Sequence, residues 1–180
     1  MHDIVIIGGG AAGMTAALYA LRAGKTVMVL EKSNFGGQIA YSPKIENFPG
    51  TASMSGSEFA DRLFTQITDL GADFDIVTVS GIEDKGSHKT VRTEDGVDFD
   101  GKSVIIATGA KHRQLGIAGE VELSGNGICY CAVCDGDFFR GKNVAMVGGG
   151  NTALQEAIFL SDICREITIV QNLDYFTGED

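Results

Sequence analysis

Two stretches of the chain repeat one pattern of apolar and polar positions. Residues 3–32 and residues 143–172 each begin with a short apolar run and turn at three consecutive glycines. Each then continues with helical periodicity and ends in a second apolar run. Strand, helix and strand in this order are typical of a βαβ unit in a parallel sheet. The repeat therefore predicts an α/β chain with two nucleotide-binding-type domains.

The stretch between the two repeats has a different pattern. Apolar residues recur at helical spacing between Ser55 and Gly71, which predicts a helix with Ser55 or Ser57 as its N-cap. Residues 74–101 predict a meander of short strands, and residues 103–110 predict one more buried strand that ends in a glycine turn.

The predicted domain boundary lies in residues 111–119. This segment is polar, contains glycine and has no strong periodicity. We therefore expect a first domain over residues 1–112 and a second domain over residues 113–180.

Composition and charge exclude several classes of protein. With 24 acidic and 14 basic residues the net charge is −10, which argues against nucleic acid as a partner. Glycines and Asp3 interrupt the apolar N-terminus, which does not fit a signal peptide, and no apolar run is long enough to span a membrane. Four cysteines without a secretion signal indicate a reducing compartment, so we expect a cytoplasmic protein.

The first glycine cluster has the spacing of a dinucleotide-binding loop. Gly8 permits the tight turn, Gly10 lets the backbone approach a pyrophosphate, and Gly13 lets helix and strand pack closely. Glu31 ends the second apolar run, where an acid accepts a ribose hydroxyl. Loop, helix and acid together predict a dinucleotide cofactor on the first domain.

The second glycine cluster lacks the acid. Its loop comprises Gly148, Gly150, Asn151, Thr152 and Ala153, and Gln171 stands at the end of the second apolar run. Neither an acid for a ribose hydroxyl nor an arginine for a 2′-phosphate follows that run. An occupied nucleotide site and an inherited, empty one are both compatible with this sequence.

Three of the four cysteines lie in CYCAVCDG, residues 129–136. A CxxC serves in zinc sites, in inert thiol pairs and in redox pairs. A zinc site needs four ligands, but Cys131 and Cys134 offer two and the histidines are scattered, so we expect no metal site. A redox pair is favoured over an inert one, with Asp135 as a candidate proton relay or a simple turn residue.

Six motifs occur in one order along the chain: GGGAAG at residues 8–13, FGGQI at 35–39, ENFPG at 46–50, ATGA at 107–110, CAVCDGDFFRGK at 131–142 and GGGNTALQEA at 148–157. Together they resemble the low-molecular-weight thioredoxin reductases. The resemblance implies two Rossmann-like domains of the three-layer ββα type, with FAD on the first domain.

Roles for individual residues follow from this resemblance. Cys134 would face the flavin, Cys131 would attack the disulfide of thioredoxin, and Asp135 would act as acid and base. A homodimer is implied for the full-length enzyme. The residues expected around FAD are Gly8, Gly10, Ala11, Gly13, Glu31, Gly37, Gln38, Asn47, Thr108 and Gly109.

One departure from the family concerns the electron donor. The usual HRRDxFR is replaced by QNLDYFT at residues 171–177, so the arginines that bind the NADPH 2′-phosphate are missing. NADPH is therefore doubtful, and the chain is most similar to the clostridial-type subgroup that takes electrons from reduced ferredoxin. The alternatives are an NAD(P)H-dependent thioredoxin or peroxiredoxin reductase and a non-catalytic redox-sensing module.

The second departure is length. The family normally continues beyond residue 180 with the rest of the second domain and a further flavin-binding segment. We therefore expect the second domain to be partial in this chain, and we expect the chain alone not to turn over efficiently.

Overall fold

The computed structural model describes residues 1–178 and divides into two compact units, Met1–Lys111 and His112–Asp180. The division falls one residue before the predicted one. Unit 1 contains two helices, α1 (Ala11–Arg22) and α2 (Gly56–Asp69), and a 3-10 helix, Gly37–Tyr41. Its strands are β1 (His2–Ile7), β2 (Val27–Glu31), β3 (Asp73–Ile76), β4 (Val79–Asp84), β5 (Lys89–Thr93) and β6 (Asp98–Ile106).

Unit 1 is built on one mixed sheet with the strand order β3-β2-β1-β6-β5-β4. Strand β1 is central and runs parallel to both β2 and β6. Successive residues of a strand point to opposite faces, so Ile6 joins a core with Met14 of α1 and Ile67 of α2. Val5 joins a second core with Val91 on the other face. The prediction of an α/β, Rossmann-like fold is confirmed.

The strands between the two repeats differ in part from the prediction. Strand β3 pairs in parallel with β2 and is not part of the meander. Residues 98–106 form one continuous strand, where we expected two. The first half of β6 pairs antiparallel with β5 and the second half pairs parallel with β1. The two halves of β6 therefore have different neighbours, and the pattern of apolar and polar residues changes along the strand. This change is why the sequence predicted two strands.

The predicted helix at residues 55–71 is confirmed as α2, which ends at Asp69. The Ser55 side chain is its N-cap and accepts a hydrogen bond from the Glu58 N–H at 3.1 Å. Such caps satisfy one of the unpaired amides at a helix start.

Unit 2 contains α3 (Glu120–Leu123), α4 (Ala132–Asp135), a 3-10 helix (Gly136–Phe139), β7 (Asn143–Val147), α5 (Asn151–Ser161) and β8 (Glu166–Val170). Strands β7 and β8 pair in parallel, with α5 as their connection. Gly136 packs against α5, where a Cβ would lie 2.9 Å from the Leu160 side chain. Within residues 1–178, no helix is long and apolar enough to cross a membrane.

Candidate functional site

The first glycine loop joins β1 to α1. Gly8 has φ +110°, and a Cβ there would overlap the Ala107 carbonyl. A Cβ at Gly13 would overlap the Gly8 carbonyl, so helix and loop touch backbone to backbone. At Gly10, by contrast, the nearest atom to an added Cβ is the Gly37 Cα at 3.8 Å. The loop is thus tightly packed at Gly8 and Gly13, whereas at Gly10, immediately before Ala11 begins α1, a Cβ would meet only ordinary van der Waals contacts.

Glu31, at the end of β2, is held against this loop. Its Oε2 accepts a hydrogen bond from the Gly9 N–H at 2.8 Å, and its Oε1 accepts one from the Ser33 N–H at 3.0 Å. Gly8, Glu31 and Thr108 border one cavity of about 260 Å³. The structure therefore brings the predicted ribose-binding acid, the glycine loop and the ATGA turn to one place.

The other residues of unit 1 that were predicted to surround FAD differ in how near they lie to the glycine loop and its cavity. Gly37 approaches Gly10 closely, since a Cβ on Gly37 would lie 3.1 Å from the Gly10 Cα. The Gln38 amide donates a hydrogen bond to the Ala110 carbonyl, next to the exposed Gly109. Asn47 is exposed and does not line the cavity beside Glu31.

The second glycine loop repeats the first in its backbone. Gly148 has φ +133°, and Gly150 precedes α5, which begins at Asn151 and continues with the exposed Thr152. Ala153 stands at the position that corresponds to Gly13 of the first loop. Its Cβ would lie 3.2 Å from a Cβ added at Gly148, whereas a Cβ at Gly13 would overlap the Gly8 carbonyl, so the second loop accommodates an alanine here.

Gln171 is the structural counterpart of Glu31. Gly9 and Glu31 are 22 positions apart, as are Gly149 and Gln171. The Gly9 carbonyl accepts a hydrogen bond from the Gly36 N–H at 2.8 Å, and the Gly149 carbonyl accepts one from the Thr177 N–H, also at 2.8 Å. The Gln171 side-chain amide donates to the Tyr175 carbonyl. A neutral amide thus stands at the position where the first repeat has an acid.

An aromatic residue that the motifs did not predict accompanies each glycine loop. An added Cβ on Gly9 would lie 2.6 Å from the Phe35 ring, and one on Gly149 would lie 3.2 Å from the Phe176 ring. The only signal in the sequence was that each phenylalanine follows the second strand of its repeat within a few residues.

Cys131 and Cys134 form a disulfide, with their Cα atoms 5.3 Å apart. Cys131 is the N-cap of α4, and its Sγ accepts a hydrogen bond from the Cys134 N–H at 3.2 Å. Cys134 is exposed, and Val133 between the two cysteines is 62% exposed. The disulfide therefore lies near the surface of unit 2, with Cys134 exposed and Cys131 half-buried.

Asp135 follows the pair and is half-buried. Burial raises the pKa of its carboxyl group above the ordinary aspartate value. A carboxyl group with a raised pKa keeps a proton nearer to neutral pH, as an acid–base group requires.

The two other cysteines are half-buried free thiols. Burial, with the negative charge of Asp135 as the next cause, raises the pKa of the Cys129 thiol, so it is a weaker nucleophile at neutral pH than an exposed cysteine. Among residues 1–178, no three or more His, Cys, Asp or Glu side chains come together in a group that could hold a metal ion.

Comparison with known proteins assigns the class. The pyridine nucleotide-disulphide oxidoreductase family matches residues 2–180, and the chain belongs to this family. It is 44% identical over 178 residues to a thioredoxin reductase from Helicobacter pylori and 38% identical over 174 residues to one from Bacillus subtilis. These alignments cover 98% and 97% of this chain and 57% and 55% of the relatives.

A solved structure has the same fold. The crystal structure of thioredoxin reductase from Streptococcus pyogenes matches with a TM-score of 0.93 at 42% identity, over 99% of this chain and 58% of that one. The chain thus spans just over half the length of the relatives it matches.

Proposed function

We propose that this chain is part of a thioredoxin-disulfide reductase, a flavoprotein in which Cys131 and Cys134 receive electrons from FAD and deliver them to thioredoxin. The observation that carries the proposal is the surface disulfide followed by Asp135, in a chain whose other unit has a dinucleotide loop with its acid. The similarity to thioredoxin reductases along almost the whole chain supports it.

Unit 1 fits the adenosine end of FAD. Gly10 immediately precedes the start of α1, where backbone N–H groups are available to a pyrophosphate. Glu31 borders the adjoining cavity and would accept a ribose hydroxyl. When bound, FAD would supply the electron pair that reduces the disulfide. The residues proposed to hold it are Gly8, Gly10, Ala11, Gly13, Glu31, Gly37, Gln38, Asn47, Thr108 and Gly109.

The cysteine pair performs thiol–disulfide exchange. In the reduced pair, the Cys131 thiolate attacks the thioredoxin disulfide and forms a mixed disulfide, releasing one thioredoxin thiolate. The Cys134 thiolate then attacks Cys131, which restores the intramolecular disulfide and releases the second thiolate. Two electrons pass to thioredoxin, and Asp135 carries a proton between the cysteines and the leaving thiolates.

The electron donor is proposed to be reduced ferredoxin and not NADPH. Gln171 replaces the acid of a nucleotide site, and residues 171–177 contain Asp174 but neither lysine nor arginine. A 2′-phosphate would therefore meet the uncharged Asn172, Leu173 and Thr177 where the family supplies arginines. Charge-assisted contacts to a phosphate are strong, and each tenfold step in affinity corresponds to about 1.4 kcal/mol.

Anaerobic flavin reduction tests this donor. The full-length protein with bound flavin is mixed separately with NADPH, NADH and chemically reduced ferredoxin, and flavin absorbance is followed. We expect bleaching with ferredoxin alone. Rapid bleaching with NADPH would overturn the donor proposal and leave the role of the cysteine pair intact. An NADPH-dependent thioredoxin or peroxiredoxin reductase would then be the better description.

The proposed function also suggests a cellular location and an oligomeric state. A reducing compartment keeps a thioredoxin system in turnover, so we propose the cytoplasm. For the full-length enzyme we propose a homodimer.

A further inference from the structure

A buried carboxylate, Glu120, ties together the segment that leads to Cys131. Glu120 is 3% exposed. Its Oε1 accepts hydrogen bonds from the Leu115 N–H at 2.7 Å and the Tyr130 O–H at 2.8 Å, and its Oε2 accepts one from the Gly116 N–H at 2.7 Å. A buried charge is tolerated when hydrogen bonds replace its hydration, as they do here.

These hydrogen bonds set the protonation states of both side chains. The Leu115 N–H, followed by the Tyr130 O–H and further backbone amides, lowers the pKa of Glu120 against the opposing effect of burial. The bond donated to Glu120 raises the pKa of Tyr130. An ionised carboxylate therefore faces a neutral phenol across the neutral pH range, and the bond between them persists.

The Tyr130 ring is held at its face as well as at its tip. It stacks on the imidazole of His112, with ring centroids 3.4 Å apart and planes inclined by 17°. Stacking and the bond to Glu120 together fix both the position and the tilt of the ring. Tyr130 is joined directly to Cys131, so its anchoring restrains the peptide that enters the cysteine pair.

The conformation of Cys131 matters because of one contact. As the N-cap of α4, Cys131 has φ −144° and ψ 101°, which brings its Sγ to the Cys134 N–H at 3.2 Å. In the reduced pair the same N–H would donate to the Cys131 thiolate and lower its basicity. A Cys131 backbone that is free to rotate would lose this contact for part of the time.

We propose that Glu120 is a positioning residue for Cys131, which acts by holding Tyr130 so that the Cys131 sulfur stays on the Cys134 amide. The inference rests on the proposed exchange chemistry of the pair. Its test requires neither flavin nor thioredoxin, so the two proposals fail separately.

The test is the pH dependence of alkylation of the reduced full chain by iodoacetamide, with each cysteine followed by peptide mass spectrometry. Tyr130→Phe removes only the O–H and keeps the stacked ring. We expect the apparent pKa of Cys131 to rise by about half a unit, which reduces its alkylation below that pKa about threefold. Tyr19→Phe, on the exposed face of α1, is the control and should match the wild type.

Other titratable groups near the pair stay in place in Tyr130→Phe. Asp135 on α4, Glu156 on α5 and the Cys164 thiol all act on Cys129. Because Tyr130 is joined to Cys129 as well as to Cys131, Cys164, between α5 and β8, reports any general loosening of unit 2, and its labelling should not change.

A second variant guards against misfolding. Glu120→Gln keeps an acceptor oxygen but turns an N–H donor toward the loop amides, and it should shift Cys131 in the same direction. If Cys131 titrates as in the wild type in both variants, the proposal is overturned. It is equally overturned if Cys164 shifts together with Cys131, because Glu120 would then only stabilise the unit.

Discussion

The Glu31 carboxylate and the Gly9 amide are joined by a 2.8 Å hydrogen bond, which fixes the end of β2 to the first glycine loop. Gly9 is buried, so the amide has no ready replacement partner in water. Glu31 thus has two tasks under our account: it shapes the loop, and it presents its carboxylate to the cofactor cavity.

Glu31→Ala should therefore lower both flavin content and stability. The unpaired Gly9 N–H should reduce the free energy of unfolding by about 1–3 kcal/mol. Flavin absorbance per protein and urea denaturation measure the two effects. Glu94→Ala, at an exposed glutamate, is the control. Wild-type flavin content in Glu31→Ala would remove Glu31 from the proposed site.

Gly13→Ala should destabilise unit 1, because the new Cβ would overlap the Gly8 carbonyl oxygen. Overpacking of this kind costs about 1–3 kcal/mol, and the displaced loop should also bind flavin less well. Gly81→Ala adds the same methyl group where no atom lies within 4 Å. Its denaturation midpoint should stay close to that of the wild type. Equal behaviour of the two variants would contradict the close approach of helix and loop.

Asp135→Asn should separate stability from activity. A raised pKa means that the folded chain binds the proton more tightly than the unfolded chain, so this group stabilises the fold at low pH. That contribution is lost as the pH rises from the ordinary aspartate pKa through the raised one. The difference in unfolding free energy between wild type and Asp135→Asn, measured against pH, should follow this course.

Asp135→Asn should also slow thiol exchange with thioredoxin. Loss of an acid–base group should slow reduction of thioredoxin by about a hundredfold. Asp137→Asn, at an exposed aspartate paired with Arg140, should react at the wild-type rate. A fully active Asp135→Asn would mean that the proton moves through solvent.

Arginines placed at Asn172 and Leu173 should restore part of an NADPH site. The double variant Asn172→Arg/Leu173→Arg should bind NADPH at least about tenfold more tightly than the wild type, since one charge-assisted contact is worth a tenfold step. Arginines at the exposed Thr65 and Gln66 of α2 control for net charge. Isothermal titration calorimetry with NADPH and with NADH tests this prediction, because the gain in affinity should be confined to NADPH, which carries the 2′-phosphate.

Local patterns in the sequence predicted much of the architecture. Both βαβ repeats and the Ser55 cap depend on neighbours in the chain, and each formed where it was expected. Strand β3 was misassigned because its parallel pairing with β2 is decided by tertiary packing, which the alternating polar and apolar residues of Asp73–Ile76 do not reveal.

Parts of the site were beyond the reach of such patterns. The correspondence of Gln171 with Glu31 follows from equal spacing, but the bond from Gln171 to Tyr175 depends on how the chain turns after β8. Glu120 belongs to no motif, and only the fold brings it to Tyr130 and the amides of Leu115 and Gly116.

The most direct test of the central claim is a single-turnover exchange between the reduced full-length protein and oxidised thioredoxin. Wild type should transfer one electron pair per cysteine pair. Cys134→Ser should stop at a mixed disulfide through Cys131, visible by non-reducing electrophoresis and mass spectrometry, while Cys131→Ser should trap nothing. A stable adduct through Cys134, or no transfer at all by the wild type, would contradict the proposed path of electrons from this pair to thioredoxin.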